Sequence, residues 1–359
     1  VARFWILALC GLWLTGIAAA QTTQFWACPV GFAGQTLHVY NWTTYIAEDT
    51  ISNFESLCGV TVIYDTFEED SVLIDELRAG NPNGYDVVVP INFTMETMLD
   101  ENLLQPLNFD NIPNFADLNP NFIQRPFDPE NRYSVPYLWG TTGIGYHRDR
   151  VGQDITRWQQ LFDSSARVAW IDYDRLMLGV ALNVLGLNPS SSNPADLAQA
   201  RDYLVAHSQN VTVIADDTGQ DLLAAGEVDM VIEYSGDVFQ TINQFPEQNL
   251  VYAIPSEGTV TDITSLVIPV GANNKPLAEV FIDYLLDKQV SADIANYTVY
   301  GTPNLLAVDE GLIYENYLND PAIYPPDEIL GKLFVLESDA AIETLFSTTW
   351  QEVRDLTGK

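Results

Sequence analysis

Short apolar runs alternate along the chain with segments whose apolar residues recur at helical spacing. Leu37-His38-Val39-Tyr40 reads as a buried strand, and Ile51, Phe54 and Leu57 share one helix face that Gly59 brings to a stop. Val60 to Tyr64 predicts a second strand, the helix around Val72, Leu73 and Leu77 ends at Gly80, and Asp86-Val87-Val88-Val89-Pro90 is a third strand. Strand, helix, strand, helix, strand within about fifty residues predicts a parallel sheet covered by helices.

The pattern restarts downstream. Val168-Ala169-Trp170-Ile171 reads as a strand, Arg175 to Leu185 as a helix stopped by Gly186, and Met230-Val231-Ile232-Glu233 as a strand leading into Gly236. A second α/β unit therefore lies between Gly140 and Ala253. Ser265-Leu266-Val267-Ile268-Pro269 adds a further strand, and Pro276 opens an apolar helix through Val280, Phe281, Tyr284 and Leu285. This last unit suits the first lobe as well as the second, so the chain is expected to cross between two lobes near Pro136 to Gly143 and again near Ile254 to Thr264. The expected division is residues 35–138 with 265–303 in lobe 1, and 139–264 with 304–359 in lobe 2. The polar, Pro/Asn-rich stretch from Leu107 to Arg132 is expected to wrap the surface. Several crossings between two lobes make a hinge, and ligands of open α/β sheets collect at strand C-termini. Trp42, Thr43 and Tyr45 follow the first strand and are expected to face such a cleft.

The length of 359 residues agrees with two domains at roughly 150 residues each. Before them stands one basic residue, Arg3, an apolar run from Phe4 to Ala20 and an Ala-Ala-Ala-Gln junction, which read as residues 1–20 of a secretory signal cleaved near Ala20. The alternative is a transmembrane anchor, against which stand the short span and its Ala-rich end. Leu9 before Cys10 argues against a lipoprotein anchor. Export to the periplasm or the extracellular space leaves Cys28 and Cys58, an even count in an oxidising compartment. Cys58 ends the first helix, which returns the chain toward the start of the first strand near Cys28, so the two are expected to pair; two separate buried thiols are the alternative.

The formal net charge is −34, with lysine only at positions 275, 288, 332 and 359. Such a field repels nucleic acid and attracts cationic ligands, although a uniformly acidic surface also serves solubility alone. His38, His147 and His207 are scattered without metal-ligand spacing. Gly140 to Gly145 contains Gly-x-Gly but continues into Tyr146-His147-Arg148, which breaks the dinucleotide fingerprint, and no phosphate-binding loop or nucleophile elbow is present. No metal, cofactor or catalytic residue is expected. Binding chemistry is better represented: Trp42, Tyr45, Phe93, Trp139, Tyr234, Asp237, Asp262 and Tyr300 fall at predicted strand ends or loops. Aromatic faces attract organic cations, and carboxylates accept hydrogen bonds from ammonium groups.

With these residues in view, the chain resembles the periplasmic spermidine/putrescine-binding proteins of ATP-driven uptake systems. The resemblance runs from Leu37 to Lys359 and rests on YNWTTYIAEDTISNFE, YDVVVP, PYLWGTTGIGY, GEVDMVIEYSGDVFQ, IPSEG, TPNLLA and YPPDEILGKLF, in the family's order. It implies an α/β fold of the two-lobed periplasmic-binding-protein type (type II) with the ligand cleft between the lobes. It further implies a monomer that closes over a small amine and docks on a membrane ABC permease. Carried over residue by residue, Trp42, Thr43 and Tyr45 match the family's first loop, Tyr234 stands for a stacking tryptophan, Asp237 for an amine-holding carboxylate, and Tyr300 for a pocket tyrosine.

Other positions depart from the family. Thr44 replaces an acid, Leu176 replaces a ligand-facing Glu, and Thr264 replaces the Asp before the Ser265 strand. Asp262 takes the place of an aromatic, Ile91 and Asn92 replace small hydroxyl residues, and Tyr173 falls where spermidine-type members carry another acid. Asp262 is expected to compensate from the same face of an extended segment, with Glu69, Asp70, Asp172 and Asp174 as further candidates. The ligand set expected from the resemblance is therefore Trp42, Thr43, Thr44, Tyr45, Asn92, Phe93, Tyr173, Tyr234, Asp237, Asp262, Thr264 and Tyr300. The lost acids leave open a monocationic or neutral solute on the same fold. An exported enzyme on such a fold is the reading from another class, and it lacks a visible nucleophile and base.

Overall fold

The computed structural model describes residues 26–336 and 340–359; the expected signal segment and its cleavage near Ala20 lie outside the described residues. Strands β1 (Thr36–Trp42), β2 (Thr61–Phe67) and β3 (Val87–Val88) run parallel, linked by helices α1 (Thr50–Cys58) and α2 (Asp70–Arg78). Leu37 and Val39 of β1 are buried with Phe54 of α1 beneath them, the core that the alternating pattern requires. β1 runs on through Trp42, two residues beyond the apolar run, because its backbone stays paired to β2 as far as Phe67. The expected third strand contracts to two residues.

Further along come β4 (Ser134–His147), β5 (Val168–Ile171), β6 (Val211–Ala215), β7 (Met230–Tyr234), β8 (Leu250–Ala253) and β9 (Thr261–Val267). Among the described residues all nine strands join one sheet in the order β2-β1-β3-β9-β4-β7-β5-β6, with β8 also paired to β4. β5 is parallel to β6 and β7, which gives the second α/β unit.

β4 carries the chain from one half to the other. It is 14 residues long and buried throughout. Its first part pairs antiparallel with β9, from Ser134 opposite Val267 to Thr141 opposite Thr261, and its second part with β7 and β8. The Gly140 to Gly145 crossing, which composition alone would leave irregular, is therefore strand. Its glycines answer to packing: a Cβ on Gly143 would lie 2.5 Å from the Tyr252 hydroxyl. Asp262 likewise sits in a strand, opposite Gly140, and not on an extended loop. A register shift between Pro136 and Trp139 bends β4 where the halves meet.

Each half has its own core. Val39, Phe54, Leu266 and Phe281 belong to the first, and Ile144, Trp158, Trp170 and Phe346 to the second. The chain beyond Asn304, placed wholly in lobe 2 by the sequence pattern, divides: Ala307 and Ile313 pack into the first core, Leu336 and Phe346 into the second. Among the described residues no helix is long and apolar enough to cross a membrane. Cys28 and Cys58 form a disulfide with Cα atoms 5.2 Å apart, tying the entry of the chain to the end of α1 across a sequence separation of 30. Closing a loop of that length restricts the unfolded chain, so Cys58→Ser is expected to lower the free energy of unfolding by about 2–4 kcal/mol in urea titration; a midpoint unchanged from that of the parent protein would contradict a stabilising cross-link.

Candidate ligand-binding site

The segments that leave β1, β3, β6 and β7 converge on one cavity beside the β4–β9 seam, which supplies Gly140, Thr141, Asp262 and Thr264 to its lining. The cavity spans about 470 Å³ including its mouth, of which about 40 Å³ is wide enough for the centre of a water molecule. One water occupies about 10–15 Å³ on that measure, so the slot is narrow and suits a slender, unbranched molecule.

One wall is aromatic. Trp42 donates its indole N–H to the Val89 carbonyl at 2.8 Å and packs on Phe67 at 4.6 Å between ring centres. Tyr45 meets Tyr300 edge to face at 4.9 Å, a geometry contributing about 0.5–1.5 kcal/mol beyond burial. The Tyr300 hydroxyl donates to Asp237 Oδ2 at 2.5 Å. Gly236 admits the Tyr300 ring, since a Cβ there would fall 2.0 Å from it. Thr44 and Val299, each immediately before one of these tyrosines, are β-branched residues held at φ of 56° and 58°. Such conformations are strained and persist where the surroundings over-determine them.

The charged lining is all of one sign: Asp217, Asp237 and Asp262 reach the cavity, and no Lys, Arg or His joins them among the described lining residues. Glu233 of β7 is fully buried behind, its Oε1 accepting from the Tyr234 backbone N–H at 2.9 Å. Asp262 is 6% exposed; its Oδ2 accepts from the Thr142 hydroxyl at 3.2 Å. Asp217 Oδ1, Glu233 Oε2 and Asp262 Oδ1 are buried without a hydrogen-bond partner in the protein. Burial favours the neutral acid. It pushes Asp262 up to about 7 against the pull of Thr142, and Asp237 up to about 6 against the Tyr300 bond. Asp217 and Glu233 are raised well above the usual range by burial first and by repulsion from each other's neighbourhood of acids, Asp237 included.

A second opening adjoins the cavity, sharing Trp42, Tyr234 and Asp217, and brings Glu68, Glu69 and Asp216 to its mouth. This vestibule is thus strongly acidic, with a field that favours cations over anions.

The sequence-predicted residues divide. Trp42, Thr43, Tyr45, Tyr234, Asp237, Asp262, Thr264 and Tyr300 line the cavity. Thr44 does not; it is exposed and turned away by its left-handed backbone. Asn92 is buried under the seam, where its Oδ1 accepts from the Ile263 N–H at 3.0 Å. Phe93 packs on Tyr173 at 5.2 Å, and the Tyr173 hydroxyl donates to Asp70 Oδ2 at 3.4 Å, so this pair lies beside the vestibule and bridges the two halves. The Thr264 hydroxyl is taken up by the Leu138 carbonyl and Tyr45. Asp172, a candidate substitute acid, is paired with Trp350 and Arg354. Asp217, Ile91, Gly140 and Thr141 are lining residues that the sequence reading missed. The available signals were Asp216-Asp217 at the end of β6, a strand whose alternation is weak, and a Glu inside the otherwise apolar β7.

The chain is similar to known proteins in sequence and fold. The family model for bacterial extracellular solute-binding proteins matches residues 49–323. The putrescine-binding periplasmic protein PotF of Escherichia coli is 32% identical over 95% of this chain and 97% of its own length. A spermidine/putrescine-binding periplasmic protein of Salmonella typhimurium is 31% identical over 83% of this chain and 85% of its own. Among solved structures, a putative spermidine/putrescine ABC transporter protein from Listeria monocytogenes superposes with a TM-score of 0.81 at 32% identity, covering 89% of this chain and 98% of that one. The Atu4243 GABA receptor, at 20% identity and a TM-score of 0.70 over 90% of this chain and 98% of that one, shares the fold.

The raised acids set a pH dependence whose sign is fixed. Between about pH 4, where unfolded carboxylates titrate, and pH 6 to 7, where Asp237 and Asp262 titrate in the native protein, the native state holds more protons than the unfolded one. Their contribution to stability is thus full at the acid end of that window and lost as pH rises through it. Ligand-free protein is expected to melt higher at pH 5 than at pH 8, with the difference reduced in Asp262→Asn. A melting temperature that climbs from pH 5 to pH 8 would contradict a buried, unpaired carboxylate cluster.

Proposed function

The chain belongs to the bacterial extracellular solute-binding proteins, and from that premise we propose that it captures a small polyamine, putrescine foremost, and delivers it to a membrane ABC permease. The observation that carries this reading is the cavity's lining: three carboxylates, a wall of tyrosines and Trp42, and no basic side chain among the described lining residues. Leaving ionised acids buried without partners is costly, and an ammonium group restores both charge balance and hydrogen bonds. The narrow slot suits the unbranched methylene chain between two amines. Tyr45, Tyr234 and Tyr300 offer that chain apolar faces, the Tyr45 hydroxyl meeting Thr264 and the Tyr300 hydroxyl donating to Asp237.

In this reading the protein acts outside the cytoplasm as a monomer, and no bond is made or broken. Residues 35–138 with 265–303 and residues 139–264 close on each other about the β4–β9 seam. Tyr173, reaching from one half to Asp70 and Phe93 of the other, holds the closed form. The permease reads that closed form. A second reading keeps the fold and takes a monocationic solute. It is favoured by Leu176 and Thr44, which bring no charge where the resembled family has acids.

Thermal-shift titration of refolded, ligand-stripped protein with putrescine, spermidine and butylamine separates these. A saturable rise with putrescine, about 2.7 kcal/mol at a hundredfold excess over Kd, and its loss in an Asp237→Ala, Asp262→Ala double variant are expected, with the amine recovered unchanged. Equal shifts from butylamine and putrescine would favour the monocation. No shift with any amine in a folded protein would overturn the polyamine reading.

A further inference from the structure

The chain lacks acids where its resembled family carries them, yet its cavity is strongly acidic, and the source is a residue that the resemblance does not single out. We propose that Asp217 is a specificity-determining residue that shares one cationic end of the ligand with Asp237, while Asp262 takes the other, so that the cavity selects a dication over a monocation. This inference rests on the amine reading of the site.

The placement of Asp217 follows from the end of β6. After Ala215 the chain turns tightly: the Thr218 backbone N–H donates to the Asp216 carbonyl at 2.7 Å, and the Thr218 hydroxyl donates to Asp216 Oδ1 at 2.8 Å. Asp216 is thereby tied outward and exposed, and Asp217 is turned into the cavity. Its Oδ1 is buried with no partner in the protein. Behind it the wholly buried Glu233 likewise keeps Oε2 unpartnered. Gly219 permits this approach, since a Cβ there would lie 2.6 Å from Glu233 Oε2. Asp237, in the first turn of the helix Ser235–Gln244, completes the group with one oxygen committed to Tyr300. An ammonium carries three donors and no acceptor, the complement of this set of acceptors.

Asp262 forms a separate pole. It stands on β9 opposite Gly140, with Oδ2 on Thr142 and Oδ1 unpartnered at 6% exposure. It reaches the cavity from β9, whereas Asp217 follows β6 and Asp237 opens the helix after β7. The cavity thus has two anionic poles joined by the tyrosine wall. A monocation neutralises one pole and leaves the other buried and unpaired, which is the basis of selection.

The test is calorimetric titration at pH 7.5 with putrescine and with butylamine, which has the same carbon chain and one amine. The parent protein is expected to bind putrescine at least a hundredfold more tightly than butylamine. Asp217→Asn, nearly isosteric, is expected to weaken putrescine at least tenfold and to narrow the ratio between the two ligands. It should leave the melting temperature of the ligand-free protein equal or higher, because it removes a buried repulsion. Glu227→Gln, an exposed acid of the same half, controls for net charge and is expected to change neither affinity. If the parent binds putrescine and Asp217→Asn binds it equally well with the ratio intact, the assignment of Asp217 is overturned while the amine reading stands. If the parent binds neither amine, both fail together.

Discussion

Buried carboxylate groups with no protein cation to meet them are the constraint around which this molecule is arranged. Asp217, Glu233 and Asp262 each keep an oxygen away from water without a partner, a condition that costs about 1–3 kcal/mol for even a neutral group. A sheet that only had to be stable would not gather such groups at its centre. Here the sheet does so beside the β4–β9 pairing that joins the two halves, so the unmet charge lies at the seam between them. The tyrosines follow from the same constraint. Their rings line the slot, and the Tyr300 hydroxyl donates to Asp237. In the proposed reading, a cation in the slot would bring the halves together by satisfying Asp217 after β6, Asp237 after β7 and Asp262 on β9 at once.

Much of the architecture is legible in the sequence. The first unit was readable because its strands are apolar and its helices stop at glycines, and Trp42 and Tyr45 could be placed because they follow a strand end in a parallel sheet. The Gly140 to Gly145 segment was not legible as strand, because glycine is depleted from strands in general. What keeps it extended is tertiary: the Tyr252 hydroxyl and the Tyr300 ring occupy the space where side chains would stand. The division of the chain after Asn304 was hidden for a similar reason, since Ala307 and Ile313 are unremarkable in sequence and their core is chosen by packing.

The site shows the same contrast between what resemblance carries and what geometry decides. Motif by motif, the resemblance placed Asp237, Tyr234 and Tyr300 at the cavity, where they stand. It also brought in Thr44 and Asn92, which do not line the cavity, and Tyr173, which lines the adjoining opening with Phe93 packed on it. One left-handed residue is enough to turn Thr44 out, and Asn92 is engaged by the Ile263 amide beneath the seam. Asp217 escaped because β6 alternates too weakly to be recognised, so its end could not be placed against the cleft. The acids missing by resemblance are therefore not missing from the cavity. They enter from different strands.

The central claim is that these carboxylates wait, partly protonated, for a cation. Calorimetry of putrescine binding at pH 6.5 in two buffers of different ionisation enthalpy counts the protons exchanged. The amine is already fully protonated at that pH, so any proton released comes from the protein. The account predicts net release, as the bound cation draws down acids now held at about 6 to 7. Tight binding with identical enthalpies in both buffers, or net proton uptake, would contradict it.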